Sequence, residues 1–131
     1  MWSHVYTAYE YLIQQNVADG AKVIHRVRFA VSDATVRQSM TPVLNEVAKL
    51  LAQQPALSVQ IDGFRDDPCS YEESFKLAHE RVQAVSDYLR AQGVDEKRFL
   101  SGSSGNTHSA VPSDSEEGRA FNRRVELRPT Y

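Results

Sequence analysis

The chain has 131 residues, 15 of them basic and 17 acidic, and a formal net charge of −2. Apolar residues make up 41% of the chain and charged residues 24%, a mixture typical of one soluble globular domain. The charge balance argues against a nucleic-acid-binding protein, which needs an excess of positive charge to neutralise phosphates. The single cysteine, Cys69, excludes an internal disulfide and a cysteine-rich zinc site.

Residues 1–20 are predicted to be an N-terminal helical segment or linker, separate from the domain that follows at 21–131. Four apolar residues of this segment recur at helical spacing: Val5, Tyr9, Leu12 and Ile13. The apolar side of such a helix would pack either on the main domain or on a partner protein.

The main domain begins with a predicted strand, helix and strand. Residues 22–31 and 57–64 alternate between apolar and polar side chains, as is typical of strands with one buried face. Between them, residues 41–54 are predicted to form a helix, with Pro42 at its first position. The predicted buried stripe of this helix consists of Val43, Val47, Leu50 and Leu51.

The second main helix is predicted over residues 71–92. Ser70 and Glu73 have the spacing of a capping box at its start, and Gly93 suits the position just after its end. Its predicted buried stripe consists of Phe75, Ala78, Val82, Val85 and Leu89.

Two more strands are predicted at 97–103 and 122–129, joined by a polar connection over residues 103–118, which is long for a compact domain. Strand–helix–strand units favour parallel neighbours, whereas the last strand follows a loop and could pair antiparallel. The predicted fold class is therefore α/β, an α+β sandwich. It has a mixed four-stranded sheet in β-α-β-α-β-β order, with its main helices on one face.

Asp66 and Arg81 are the candidate binding residues. Asp66 follows the second predicted strand, at the edge where open α/β sheets bind ligands, and the N-terminus of the next helix favours an anionic group there. Arg81 lies about three turns into that helix, at the margin of its buried stripe, and could reach back toward the loop. The two charges could hold a zwitterion, the arginine binding a carboxylate and the aspartate an ammonium, or they could form an ordinary salt bridge.

No other group of residues indicates catalysis or metal binding. The sequence has no nucleophile elbow and no phosphate-binding loop, so the chain is predicted not to be an enzyme. The histidines lack metal-ligand spacing, and the adjacent Asp66 and Asp67 lack the alternate oxygen ligands of a calcium loop, so neither a metal nor a cofactor is predicted. Arg123 and Arg124 would point to opposite faces of the last strand, one bracing a carboxylate and the other solvated.

Five segments of the chain together carry a family resemblance: VRFAVSDATV, PVLNEVAKLLAQQP, VQIDGFRD, LAHERVQAVSDYLRAQGVDEKRF and GRAFNRRVEL. In this order they resemble the OmpA-like peptidoglycan-binding domain found in outer-membrane porin-like proteins, peptidoglycan-associated lipoproteins and flagellar stator subunits. The resemblance covers residues 21–131, about 85% of the chain.

The resemblance implies a non-catalytic domain that anchors its parent protein to the cell wall in the bacterial periplasm. Asp66 would bind the ammonium of diaminopimelate in the peptidoglycan stem peptide, and Arg81 its carboxylate. The loop neighbours of this site would be Phe64, Arg65, Ser74 and Leu77. The structural signature of the family falls on Gly63, Arg119, Asn122, Arg123 and Arg124. Contact with a membrane would come only through another segment of the parent protein, and no nucleic acid is implied as a partner.

Three positions beside the implied site depart from the family pattern. Arg65 replaces a small hydroxyl residue, Cys69 replaces a loop glycine, and Ser74 replaces a helix asparagine. Changed residues around Asp66 and Arg81 would hold these two side chains less rigidly, and this would weaken binding. The alternative function is therefore a divergent OmpA-like domain that has lost wall binding and serves protein–protein interaction or assembly in an envelope complex. Its partner would be an envelope protein or a second copy of the chain.

Overall fold

The computed structural model describes residues 24–64, 70–103 and 115–130. The strands in these ranges are β1 (His25–Arg28), β2 (Ser58–Gly63), β3 (Phe99–Ser103) and β4 (Arg124–Thr130). The α-helices in these ranges are α1 (Thr41–Gln53), α2 (Tyr71–Ala91) and α3 (Glu116–Asn122). Short 3₁₀ helices precede α1 at Gln38–Met40 and β3 at Glu96–Arg98. The predicted N-terminal segment, 1–20, lies outside the described residues.

The four strands form one mixed sheet in the order β1-β4-β2-β3. β2 and β3 are parallel, whereas β4 is antiparallel to both β1 and β2. The predicted mixed four-stranded sheet is confirmed, including the antiparallel pairing of the last strand. The strands β1 and β2 are not neighbours, however, because β4 lies between them.

Both long helices pack on one face of the sheet, as predicted, with α1 against β1 and α2 against the other three strands. The hydrophobic core between the layers includes Val27, Val59, Ile61, Val125 and Leu127 from the strands. The helix α1 contributes Leu44, Val47, Leu50 and Leu51 to the core. The predicted stripe of α1 wrongly included Val43, which is only partly buried, and missed Leu44.

The start and end of α2 follow the predicted capping residues. The Ser70 hydroxyl accepts a hydrogen bond from the Glu73 backbone N–H at 3.2 Å, and Gly93 has a φ of 96° just beyond the helix. The prediction that Phe75 is buried is wrong: its side chain is 44% exposed, and the neighbouring Ser74 is 1% exposed. The buried face of α2 includes a serine and an arginine, Arg81, which a pattern of apolar residues does not detect.

The polar connection predicted over 103–118 runs into a short helix, α3. Ser115 caps this helix, because its hydroxyl accepts a hydrogen bond from the Gly118 N–H at 3.0 Å. The last strand consequently starts at Arg124, two residues later than predicted. Among the described residues, no helix is long and apolar enough to cross a bilayer.

His25 couples the stability of the fold to pH. Its side chain is 2% exposed, on the core face of β1, and burial lowers its pKa from 6.5 to about 4. Above pH 6.5 both folded and unfolded chains hold His25 neutral, so its full contribution to stability is present. As the pH falls, the unfolded chain binds a proton that the folded chain does not, and stability is lost until the pH reaches the folded pKa. We expect urea unfolding to show a loss of about 2 kcal/mol between pH 7 and about pH 4.5.

The variant His25→Leu provides the control for this pH dependence. Leucine keeps an apolar group in the core without a titratable proton, so most of the loss between these two pH values should disappear. An equally steep loss of stability in the variant would show that another group causes it.

Candidate functional site

Arg81 is a fully buried arginine on α2 that faces the loop after β1. Its Nε donates a hydrogen bond to the backbone carbonyl oxygen of Asp33 at 2.8 Å, and its Nη2 donates one to that of Ala30 at 3.0 Å. The central carbon of its guanidinium lies 5.3 Å from the centroid of the Phe29 ring, within cation–π range. The sequence predicts Arg81 at the margin of the buried stripe, but the structure places it inside. The carbonyl oxygens of the loop provide the polar partners that make this burial possible.

The loop over residues 30–33 is a tight turn held by Arg81. The Asp33 N–H donates to the Ala30 carbonyl oxygen at 3.2 Å, and Ser32 has a φ of 54°, in the left-handed region that glycine usually occupies. The Asp33 carboxylate accepts a hydrogen bond from the Thr35 N–H at 2.8 Å, and this is the main reason that the pKa of Asp33 is lowered. The two bonds from Arg81 bracket Ser32 and stabilise this conformation.

A surface cavity of about 210 Å³ lies between this loop and the outer side of α2. The residues that line it are Ser32, Glu73, Lys76, Leu77 and Glu80. Three of these are charged, and the Lys76 ammonium lies 3.9 Å from the Glu80 carboxylate. Leu77, a predicted neighbour of the ligand, therefore lines a cavity at the loop that Arg81 holds.

The other predicted site residues do not all lie near Arg81. Ser74 is buried on the same helix as Arg81, and Phe64 is 5% exposed, with the Arg124 guanidinium 4.1 Å from its ring centroid. Phe64 therefore packs beneath an arginine on the side of the sheet away from α2. Asp66 and Arg65 lie outside the described residues, and so does Cys69.

The predicted signature residues surround the junction of α3 and β4. Arg123 bonds Glu116 at 2.9 Å, and Arg119 bonds the same carboxylate at 3.3 Å. The hydrogen bond from Arg123 is the largest reason that the pKa of Glu116 is lowered. The prediction that one arginine of the pair at 123 and 124 is solvated is wrong. Arg123 is 4% exposed and Arg124 is 2% exposed, because each has a carboxylate beside it.

Glu126 is a buried carboxylate that the sequence-based predictions missed. Three arginines bond it: Arg124 at 2.8 Å, Arg128 at 3.0 Å and Arg26 at 3.3 Å. A sequence signal for this cluster exists, because residues 124, 126 and 128 alternate on one strand and therefore share one face.

Gly63 and Asn122 are the remaining signature residues. Gly63 lies beneath α2, and the Asn122 side-chain oxygen accepts a hydrogen bond from Arg124 at 3.4 Å.

The family of this fold follows from comparison with known proteins. The family model described as the OmpA family matches residues 28–123, which include β2, β3, both long helices and the signature asparagine. The chain belongs to the OmpA family. The resemblance carried by the sequence segments is thereby confirmed, and the family is one of peptidoglycan-binding domains and envelope proteins.

Two relatives of this OmpA-family domain are a probable lipoprotein and a peptidoglycan-binding protein. The probable lipoprotein YiaD of Escherichia coli is 30% identical over 103 residues, which cover 79% of this chain and 47% of that protein. The peptidoglycan-binding protein ArfA of Mycobacterium tuberculosis is 32% identical over 101 residues, which cover 77% of this chain and 31% of that protein. The chain thus spans less than half the length of either relative.

Solved structures support the same fold. The peptidoglycan-associated lipoprotein of Burkholderia pseudomallei superposes with a TM-score of 0.77 at 24% identity, over 81% of this chain and 90% of that one. The C-terminal domain of Helicobacter pylori MotB superposes with a TM-score of 0.74 at 27% identity, over 81% of this chain and 84% of that one. The OmpA-family domain therefore shares its sheet and helix arrangement with domains of envelope proteins.

Proposed function

We propose that this OmpA-family domain is a non-catalytic peptidoglycan-binding domain that anchors a larger envelope protein to the cell wall in the bacterial periplasm. Its ligand is the diaminopimelate of the stem peptide, held between Arg81 and Asp66. The observation that carries the proposal is the position of Arg81, a buried guanidinium fixed against the loop over residues 30–33, and that loop lines a cavity through Ser32. The peptidoglycan-binding relative ArfA supports the choice of polymer.

A fixed and buried guanidinium suits recognition of a carboxylate. Two backbone carbonyl oxygens and the Phe29 ring already restrain Arg81, so little of its conformational entropy remains to be lost on binding. Its planar donors match the geometry of a carboxylate, and the interaction is stronger away from bulk water than at an exposed surface. Arg81 would hold the ligand's carboxylate, and Asp66, three residues beyond the end of β2, would hold its ammonium.

The cavity beside the loop provides space for the remainder of the ligand. Leu77 supplies an apolar wall for methylene groups, whereas Lys76 and Glu80 supply charges at the rim. The Ser32 turn forms the opposite wall, and Arg81 holds that turn in place. Arg81 would thus contribute to binding both as a ligand for the carboxylate and as a support for one wall of the cavity.

Replacement of either charged residue is expected to weaken binding. Asp66→Asn removes the charge opposite the ammonium, and Arg81→Lys removes the two-pronged contact with the carboxylate. Each variant should bind a soluble diaminopimelate-containing muropeptide about tenfold more weakly, a difference of about 1.4 kcal/mol. Isothermal titration calorimetry measures this affinity, and sedimentation with insoluble peptidoglycan checks it on the polymer.

The controls separate loss of binding from loss of folding and from general charge effects. Arg37→Gln removes an exposed arginine outside the cavity and should leave the affinity unchanged. Thermal unfolding tests whether Arg81→Lys still folds, and Asp66→Asn tests the site without removing the loop contacts. Unaltered affinity in the double variant Asp66→Asn/Arg81→Lys would exclude this pair as the binding site. Equal sedimentation with a wall that contains lysine in place of diaminopimelate would exclude the proposed ligand.

A further inference from the structure

The sheet face turned away from α1 and α2 carries a cluster of charged side chains drawn from several strands. We call it the arginine face, and its residues are Arg26, Arg28, Gln60, Asp62, Leu100, Arg124, Glu126 and Arg128. The strand pairing places Arg26, Glu126 and Asp62 in one row across three strands. Hydrogen bonds link the members of the face, from Arg26 to Glu126 and from Gln60 to Asp62.

The arginine face is positively charged although the whole chain is negative. Its described residues comprise four arginines and two carboxylates, an excess of two positive charges, whereas the chain has a formal net charge of −2. Glu126 is shared by three of these arginines. Arg28 lies directly opposite Arg124 across the β1–β4 pair, so it extends the row of arginines on this face.

The cationic groups of the arginine face are accessible. The side chains of Arg26 and Arg128 are 41% and 38% exposed, and Arg28 is exposed as well. Arg26 and Arg28 alternate along the edge strand β1, so their Cα atoms lie about 7 Å apart. This spacing equals that of alternate side chains in an extended peptide. Leu100, 46% exposed on the opposite edge strand, adds an apolar contact to the same face.

We propose that the arginine face docks an extended acidic segment of a partner protein. Carboxylates at alternate positions of that segment bind Arg26 and Arg28, because guanidinium groups match carboxylates in geometry as well as charge. The excess positive charge also accelerates the encounter with an acidic partner. This surface is separate from the cavity beside the loop over residues 30–33, since that cavity lies against α2 on the other side of the sheet.

The test uses a fluorescently labelled peptide of alternating glutamate and serine, with binding followed by fluorescence anisotropy. We expect the whole chain to bind this peptide and to bind the matching lysine–serine peptide about tenfold more weakly. The binding should weaken as salt rises from about 50 to about 300 mM. Arg26→Gln/Arg28→Gln should reduce the affinity for the glutamate peptide about tenfold.

The matched control is Arg37→Gln/Lys97→Gln, which removes the same charge from exposed residues outside the arginine face. This variant should bind the glutamate peptide like the unmodified chain, and an equal loss in both double variants would overturn the proposal. The comparison of the glutamate and lysine peptides tests the proposal on the unmodified chain, whatever the stability of the variants. Vesicles of phosphatidylglycerol provide a second comparison. If the chain binds them more tightly than it binds the glutamate peptide, the arginine face would be a membrane-binding surface, and the proposal would be overturned.

Discussion

Glu126→Gln is expected to lower the free energy of unfolding at pH 7 by about 4 kcal/mol, as measured by urea unfolding. Glutamine has nearly the same shape as glutamate, so the loss reflects charge rather than packing. Glu126 is 3% exposed, and it accepts a hydrogen bond from Arg124, which is itself 2% exposed. Removing one partner of a buried ion pair leaves the other charge desolvated and uncompensated, and that situation costs far more than losing an exposed pair.

The titration of Glu126 gives a second measure of the same interaction. Burial raises the pKa of Glu126, but the hydrogen bonds and charges of Arg124 and Arg128 outweigh it, so the pKa is lowered from its usual value of 4.5. A lowered pKa means that the contribution to stability is fully present above pH 4.5 and is lost as the pH falls through the folded pKa. The Glu126→Gln variant should therefore lose less stability than the unmodified chain in this acidic range.

Glu117→Gln is the control for the removal of one negative charge. Glu117 is exposed in the first turn of α3, so its replacement should change stability by less than about 0.5 kcal/mol. The double variant Arg124→Met/Glu126→Leu removes both partners, and it should be more stable than Glu126→Gln. A loss below about 1 kcal/mol in Glu126→Gln would show that the surrounding arginines do not depend on this carboxylate.

Periodicity predicted most of the fold because the long elements bury apolar residues at regular spacing. The strand alternation at 57–64 and the capping residues Ser70 and Glu73 led to elements that the structure contains. The position of β4 between β1 and β2 could not be predicted from the sequence. The alternation of apolar residues shows which segments are strands, but it does not show which strands are neighbours in the sheet. The short helix α3 was missed because its residues are mostly polar and its start follows a long polar connection.

The buried polar residues were the least predictable part of the site. Arg81 and Ser74 belong to the buried face of α2. The apolar pattern predicted instead that Phe75 is buried there, whereas its side chain is exposed. Burial of a guanidinium depends on the carbonyl oxygens of a distant loop, which no local pattern contains. The identity of Arg81 as a candidate residue was nevertheless available from the sequence, because its spacing from Asp66 matches that of a known family.

Gly63→Ala is expected to destabilise the fold by about 3 kcal/mol, because the sheet and α2 approach each other closely at this residue. A Cβ at position 63 would lie 2.7 Å from the Ala78 carbonyl oxygen and 2.9 Å from Val82 Cγ2. The first of these atoms belongs to the helix backbone and cannot rotate away. In a strand, alanine is intrinsically favoured over glycine, so the loss of stability has to come from this collision.

The collision in Gly63→Ala is expected to displace α2 from the sheet, and this displacement would also disturb the proposed binding site. Arg81 follows Ala78 by three residues, so a helix displaced from the sheet at Ala78 would pull the guanidinium away from the loop over residues 30–33. Gly63→Ala should therefore weaken muropeptide binding as well as lower the midpoint of urea unfolding. This pairing of effects distinguishes Gly63 from core residues whose replacement affects stability alone.

Gly93→Ala provides a matched control for Gly63→Ala. Gly93 has a φ of 96°, and a Cβ added to it would have no described atom within 4 Å, so alanine there meets only backbone strain. Its expected cost is about 1 kcal/mol, with no change in muropeptide affinity. Val82→Ala should not rescue Gly63→Ala, since it removes the side-chain collision and leaves the backbone one. Full rescue by Val82→Ala, or equal losses at the two glycines, would show that the carbonyl group of Ala78 does not set the distance between helix and sheet.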